Sequence, residues 1–265
     1  MELRTVQVAG RTIAYRRAGD GPPLVLLHSA CSDSREWRLQ LADLADEYSV
    51  IAWDAPGCGK SWDPPESFRL PDYADTLAGL VEELDLESPH VLGLSFGGGL
   101  ALEFYRRYPG VPRSLVLASA YAGWAGSLPG DVVAMRLKRV LEDASRPPSE
   151  WVSTYLPEFF TGRVPQSLVD EMTAIMLDVR PEGIRPMATA FAEADLRDVL
   201  PQVSVPTLLL YGGADVRAPS EVATALHDHI PNSELVVIPG VGHVSQMEAP
   251  EVFTSEVRRF LRTVP

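Results

Sequence analysis

The sequence predicts an α/β fold in which a mostly parallel, eight-stranded sheet carries helices on both faces and a helical cap. Three observations favour this class. Short, uniformly apolar runs recur along the chain, segments of helical periodicity alternate with them, and one long stretch without strand patterns interrupts the alternation. Strands with such uniform composition are buried on both faces, which is typical of a parallel sheet covered by helices.

Two predicted strands form an N-terminal hairpin, because residues 5–8 and 11–16 alternate in polarity and meet at Ala9-Gly10. The other strands are the apolar runs 24–27, 49–53, 90–94, 114–118, 207–211 and 234–238. Helical periodicity appears in residues 37–44, 73–84, 96–108, 221–230 and 250–261. This alternation predicts a doubly wound core formed by residues 1–123 and 201–265.

Residues 124–200 are predicted to form the cap, inserted after the sixth strand. Helical patterns lie near residues 131–144, 150–155, 166–178 and 182–194, and prolines separate them. Ligands bind at the carboxyl edge of the strands in such folds, so we expect the cap to cover that edge. An independent second domain is the alternative, although these helices are short for a core of their own.

The charge and composition limit the classes of partner. A formal net charge of −13 repels phosphate backbones and anionic lipids, so we expect neither nucleic acid nor a membrane as a partner. The two cysteines make no disulfide framework, and no apolar run approaches about 18 residues. We therefore expect a cytoplasmic protein that acts on a small molecule. No metal or organic cofactor is implied, and nothing indicates an oligomeric state.

Residues 93–97 read Gly-Leu-Ser-Phe-Gly, between an apolar strand and a helix rich in Ala, Leu and Phe. In this context a Gly-x-Ser-x-Gly pattern predicts a nucleophile elbow, with Ser95 exposed in a strained turn above the sheet edge. The glycines are needed because larger side chains on either side of the serine would collide. A serine in an ordinary tight turn is the alternative.

A serine hydroxyl needs a base, and the base needs an acid to orient it. His243 follows the last predicted strand and Asp215 follows the strand before it, so both emerge at the same sheet edge as Ser95. The chain order Ser, Asp, His is the one this elbow requires. Asp215 as a helix cap and His243 as a plain loop residue are the alternatives. The other histidines are less suited as bases: His28, His90, His227 and His229.

Two backbone N–H groups should stabilise the developing oxyanion. We assign one to Phe96, which follows the nucleophile, and the other to Ala30 in the loop after the third strand. Ser29 is the alternative donor in that loop. Cys31, beside it, is interpreted as a small packing residue, because Ser95 already supplies a nucleophile.

At these residues the sequence resembles the α/β-hydrolase superfamily, which implies the α/β-hydrolase fold. Residues 54–61 are similar to its Asp-x-x-Gly-x-Gly-x-Ser turn. Within the superfamily, the chain looks most like the 3-oxoadipate enol-lactonases and small carboxylesterases. The resemblance rests on His28-Ser29 in place of His-Gly, on the cap stretch 181–196, and on residues 243–245 and 248–250.

The residues and the resemblance together predict a serine hydrolase that cleaves carboxylic esters or lactones through an acyl-enzyme. Dehalogenases and epoxide hydrolases of this fold use a carboxylate nucleophile, where this chain has Ser95. Cofactor-free haloperoxidases and perhydrolases share the serine triad and stay open, although they commonly carry Trp where this chain has Ala30. A ligand sensor with slow or single turnover is the alternative from another functional class.

Candidate pocket residues are the apolar side chains of the cap: Trp124, Trp151, Tyr155, Phe159, Phe160, Met172, Met176, Met187 and Phe191. From these and the oxyanion loop we select the following as substrate contacts: Ser29, Trp124, Tyr155, Phe160, Met176, Met187 and Phe191. The apolar residues and the negative net charge favour neutral substrates. Arg180 and Arg185 are the opposing candidates, as partners of a substrate carboxylate.

Overall fold

The computed structural model describes residues 1–162 and 164–265. Its strands are β1 (Leu3–Val8), β2 (Arg11–Ala18), β3 (Pro23–Leu27), β4 (Ser49–Trp53), β5 (His90–Leu94), β6 (Ser114–Ala118), β7 (Thr207–Gly212) and β8 (Ser233–Ile238). They form one eight-stranded sheet in the order β1-β2-β4-β3-β5-β6-β7-β8. Strand β2 is antiparallel to β1 and β4, and all other neighbours are parallel.

The helices are α1 (Arg38–Asp43), α2 (Leu70–Glu83), α3 (Phe96–Arg107), α4 (Trp124–Ser127), α5 (Gly130–Asp143), α6 (Val152–Phe159), α7 (Gln166–Leu177), α8 (Pro181–Glu193), α9 (Ser220–His229), α10 (Ser245–Glu248) and α11 (Pro250–Leu261). Three short 3-10 helices cover Ser34–Trp37, Pro148–Glu150 and Leu200–Gln202. Within the described ranges, no helix is both long enough and apolar enough to cross a membrane.

The middle of the sheet is buried on both sides. Every residue of β4, β5, β6 and β7 is buried. Successive side chains of a strand point to opposite faces, so burial without alternation requires cover on both faces. Helix α1 packs against α11, and α2 packs against α3. The predicted mostly parallel α/β-hydrolase fold is therefore confirmed.

Helices α4 to α8 all lie between β6 and β7, in the segment predicted to be a cap. Helix α8 packs against α4 and α5, and it also contacts α2 of the sheet layer. The approach to the core is close, since a Cβ on Gly183 would lie 1.9 Å from the Gly57 carbonyl oxygen. The division into a core and a separate cap stays a prediction.

Candidate active site

Ser95 occupies the turn between β5 and α3. Its backbone has φ +55° and ψ −111°, a conformation that residues other than glycine rarely adopt. A Cβ on Gly93 would lie 2.1 Å from the Gly97 carbonyl oxygen, and one on Gly97 would lie 2.2 Å from that of Leu27. Only glycine fits at these two positions, so the sequence pattern permits the strained turn that raises Ser95 above the sheet.

His243 and Asp215 form a buried pair at the ends of β8 and β7. The His243 Nδ1 lies 2.8 Å from Asp215 Oδ2, and both side chains are almost fully enclosed. The other carboxylate oxygen of Asp215 accepts the backbone N–H of Arg217 at 2.8 Å and of Ala218 at 2.9 Å. Asp215 therefore orients the imidazole and caps its own turn at the same time.

The environment keeps Asp215 ionised. Burial by itself raises the pKa of the carboxyl, but the charge of His243 and the hydrogen bonds from His243 and Ala218 lower it more. The net pKa lies below the ordinary value for Asp. A carboxylate in this state can fix the imidazole tautomer and stabilise the imidazolium form.

Ser95 and His243 line the same cavity, which has an empty volume of about 520 Å³ including its opening to solvent. The described residues include no hydrogen bond of 3.5 Å or less between Ser95 Oγ and the imidazole. Such bonds often tighten only when substrate is bound. With Nδ1 bonded to Asp215, Nε2 is the nitrogen that can take a proton from a nucleophile.

The cavity also contains the two residues assigned to the oxyanion hole. Phe96 is the first residue of α3, so its N–H has no acceptor within the helix. Ala30 lies on the opposite loop and borders the same space. The N–H of Ser29, the alternative donor, already donates to Glu36 Oε1 at 2.8 Å, which favours Ala30. The Ser29 hydroxyl donates to Glu36 Oε2, also at 2.8 Å.

Five of the seven predicted substrate contacts line this cavity: Ser29, Trp124, Tyr155, Met187 and Phe191. Phe160 and Met176 do not. Phe160 is the residue after α6, where the chain becomes extended, and the neighbouring Phe159 lines the cavity instead. Met176 has no exposed surface and packs within the core cluster.

The two arginines proposed from the sequence lie elsewhere. Arg180 pairs with Asp63 at 2.7 Å and donates to the Gly59 carbonyl oxygen at 2.6 Å. Arg185 donates to the Ala144 carbonyl oxygen at 3.5 Å. Neither borders the cavity. The role suggested for them as partners of a substrate carboxylate therefore finds no support in their positions.

The cavity is also lined by residues that the sequence does not predict as contacts: Cys31, Val140, Ile184, Ala188 and Arg217. Arg217 had a signal in the sequence, because it comes two residues after Asp215 at the carboxyl edge of β7. Cys31, expected from the sequence to be a packing residue, is buried, and burial raises the pKa of its thiol to about 12. A thiol in that state is protonated near neutral pH and is a weak nucleophile.

The loop that carries His243 is held by the segment after α6. Glu248 accepts the Gly242 N–H at 2.8 Å and the Thr161 N–H at 3.1 Å, so its carboxylate bridges the two segments.

Within residues 1–162 and 164–265, no group of three or more His, Cys, Asp or Glu side chains is arranged to hold a metal ion.

Comparison with known proteins gives matches along nearly the whole chain. The family model described as "Alpha/beta hydrolase family" matches residues 24–256 of the chain. A solved thermophilic esterase from Thermogutta terrifontis is 31% identical with a TM-score of 0.91, covering 100% of this chain and 99% of that one. The 3-oxoadipate enol-lactonase 2 of Acinetobacter baylyi is 26% identical over 97% of this chain and 95% of its own.

A third relative carries the name of a different kind of enzyme. It is the dihydrolipoyllysine-residue acetyltransferase component of the acetoin cleaving system of Pseudomonas putida, 31% identical over 97% of this chain and 68% of its own. The family match, the esterase and the enol-lactonase agree with the fold and with the resemblance seen in the sequence. The chain therefore belongs to the alpha/beta hydrolase family, close to its enol-lactonases and esterases.

Proposed function

We propose that the protein hydrolyses carboxylic esters or lactones of small molecules, with Ser95 as nucleophile, His243 as base and Asp215 as its supporting acid. One observation carries this proposal. The strained Ser95 elbow borders the same cavity as an imidazole whose Nδ1 is bonded to a buried carboxylate at 2.8 Å. Esterases and an enol-lactonase among the similar proteins add support.

The reaction would proceed in two steps. His243 Nε2 takes the Ser95 hydroxyl proton as Oγ attacks the carbonyl carbon, and the oxyanion accepts hydrogen bonds from Ala30 and Phe96. The intermediate collapses to an acyl-enzyme, and the imidazolium returns the proton to the departing alkoxide. Water then attacks the acyl carbon as His243 Nε2 takes its proton, and the second intermediate expels Ser95 Oγ, which takes that proton back as the carboxylic acid leaves. A lactone follows the same course, except that the alcohol stays attached to the acyl chain.

The test combines turnover with covalent labelling. We expect steady-state hydrolysis of p-nitrophenyl esters or lactones, and stoichiometric labelling by a serine-reactive phosphonate. Ser95→Ala should lower kcat by on the order of 10⁴-fold or more, abolish the labelling and leave the thermal unfolding curve intact. Full labelling of Ser95→Ala would show that another residue is the nucleophile. A single turnover without cycling would instead support a ligand sensor.

A further inference from the structure

The guanidinium of Arg217 lies in the wall of the cavity that holds Ser95 and His243. Its side chain is only 15% exposed. It stacks on two aromatic residues of the same wall, 5.3 Å from the Phe159 ring centroid and 5.9 Å from that of Tyr155. A cation is thus fixed beside the reacting groups in a largely apolar space, where charges interact strongly.

One edge of this guanidinium is unused. Nη1 donates to Glu158 Oε2 at 2.5 Å, whereas Nε and Nη2 have no hydrogen-bond acceptor among the described residues. Neither nitrogen is among the enclosed polar atoms, so both reach open space. The same edge binds carboxylates elsewhere in this protein, as in the Nε and Nη2 bonds of Arg38 to Glu171 at 2.7 and 2.9 Å.

The surroundings of Arg217 carry excess positive charge. A connected set of hydrogen bonds and ion pairs, here termed the arginine cluster, contains Arg136, Arg139, Arg146, Arg217, Asp143 and Glu158. The Asp215 carboxylate adjoins this set, because it accepts the Arg217 backbone N–H at 2.8 Å, so four arginines face three carboxylates. Glu158 is shared, since its other oxygen lies 2.5 Å from Arg139 Nη1. The arginines therefore exceed the carboxylates by one at this wall, although the net charge of the whole chain is negative.

We propose that Arg217 binds a carboxylate carried by the substrate, through its free Nε and Nη2 edge. The substrates of this enzyme are then esters or lactones that bear an anionic carboxylate in addition to the bond that is cleaved. This inference rests on the proposed function and replaces the sequence-based expectation of neutral substrates. That expectation rested on the apolar residues of the cap and on the net charge of the whole chain. A substrate bound in the cavity instead interacts with the nearby positive charge of Arg217 and the arginine cluster.

The test uses two matched pairs of esters. In the first pair the acyl chain differs: p-nitrophenyl hexanoate against the mono-p-nitrophenyl ester of adipic acid. In the second the alcohol differs: the hexanoate of methyl 4-hydroxybenzoate against the hexanoate of 4-hydroxybenzoic acid. We expect kcat/KM to favour the acidic member of at least one pair by about 10- to 100-fold, the range of a charge-assisted hydrogen bond.

Three variants assign that preference to Arg217. Arg217→Gln should remove it, by lowering kcat/KM for the acidic member about 10- to 100-fold more than kcat/KM for the neutral member. Arg217→Lys should retain part of it. Arg139→Gln is the matched control, because Arg139 shares Glu158 but does not border the cavity, and the preference should persist there.

Two outcomes would overturn the assignment: neutral members preferred in both pairs, or Arg217→Gln lowering both members of a pair equally. The second would mean that Arg217 acts only by supporting the Asp215 loop. Failure of the proposed function looks different, because no ester of either pair would then be turned over.

Discussion

Phe159 holds His243 by its backbone and by its ring. The Phe159 carbonyl oxygen accepts the His243 N–H at 2.9 Å, and the phenyl ring stacks on the imidazole with centroids 6.1 Å apart and planes inclined by 28°. The proposed base is therefore oriented from two directions, by Asp215 through Nδ1 and by the end of helix α6.

The stacking predicts a kinetic effect for a substitution that leaves the backbone bond in place. We expect Phe159→Leu to lower kcat about 2- to 10-fold, because an aromatic pair contributes on the order of 1 kcal/mol to fixing the imidazole. Phe160→Leu is the matched control, since Phe160 is adjacent and buried but does not border the cavity. Equal losses of kcat in the two variants would indicate a packing effect alone.

We expect substitutions of His243 and Asp215 to lower kcat by different amounts. His243→Ala is expected to be nearly as damaging to kcat as Ser95→Ala, because the imidazole carries the proton in both steps. Asp215→Asn should retain more activity, since the carboxylate orients the base without taking its proton. The comparison is made by kcat on one ester, with circular dichroism as the folding control. If Asp215→Asn matches the wild type, the supporting acid lies elsewhere.

Glu36 is expected to position the oxyanion loop. Its carboxylate accepts both the N–H and the hydroxyl of Ser29, one residue before Ala30. Glu36→Ala would leave these donors unpaired and shift the loop, so we predict a loss of kcat of about 10- to 100-fold with little change in KM. Binding of a trifluoromethyl ketone, which mimics the tetrahedral intermediate, should weaken by a similar factor.

A second buried glutamate provides the control for that experiment. Glu103 on α3 is as enclosed as Glu36, and burial raises the pKa of both carboxyls. Glu103 does not border the cavity. Glu103→Ala should therefore alter thermal stability but not affinity for the ketone. A weaker ketone complex in Glu103→Ala alone would remove the special role given to Glu36.

His90 predicts how stability depends on pH. Burial, with the charge of Arg113 adding to it, lowers the pKa of this imidazole from 6.5 to about 4. Above pH 6.5 it is neutral in both states, and its contribution is complete. Below that pH the His90 imidazole binds a proton in the unfolded chain but not in the folded chain, so the free energy of unfolding falls until about pH 4.

The expected loss over this window is about 3 kcal/mol in the free energy of unfolding. It is measured by urea unfolding at pH 6.5 and pH 4. His90→Gln should reduce the difference between the two pH values by that amount, whereas His227→Gln, on the exposed face of α9, should not. An unchanged pH dependence in His90→Gln would contradict the prediction.

The fold was predictable because its signals are local. Uniformly apolar strands such as β5 follow from burial on both faces, and the two glycines around Ser95 are required by contacts within a few residues and with the next strand. Chain order and strand ends brought Asp215 and His243 to one edge. These relationships need only secondary structure and the direction of the strands.

The cavity wall was less predictable because it depends on how distant helices pack. The helical pattern near residues 150–155 stops before Pro157, yet α6 continues through that proline to Phe159. The extension decides that Phe159, not Phe160, borders the cavity. Arg217 is held in the cavity wall by residues of helix α6, because it pairs with Glu158 and packs on the Phe159 ring. Contacts between segments so far apart in the sequence leave no periodic pattern from which they could be predicted.

Helix α6 has a consequence for how this enzyme can diversify. It supplies part of the cavity wall, through Tyr155 and Phe159, and the same eight-residue helix carries the carbonyl that accepts the His243 N–H. A change that reshapes the pocket here also disturbs the group that would move the proton. Transplanting this helix from a relative should therefore alter turnover along with selectivity, whereas exchanges at Met187 on α8 should change selectivity with less effect on turnover.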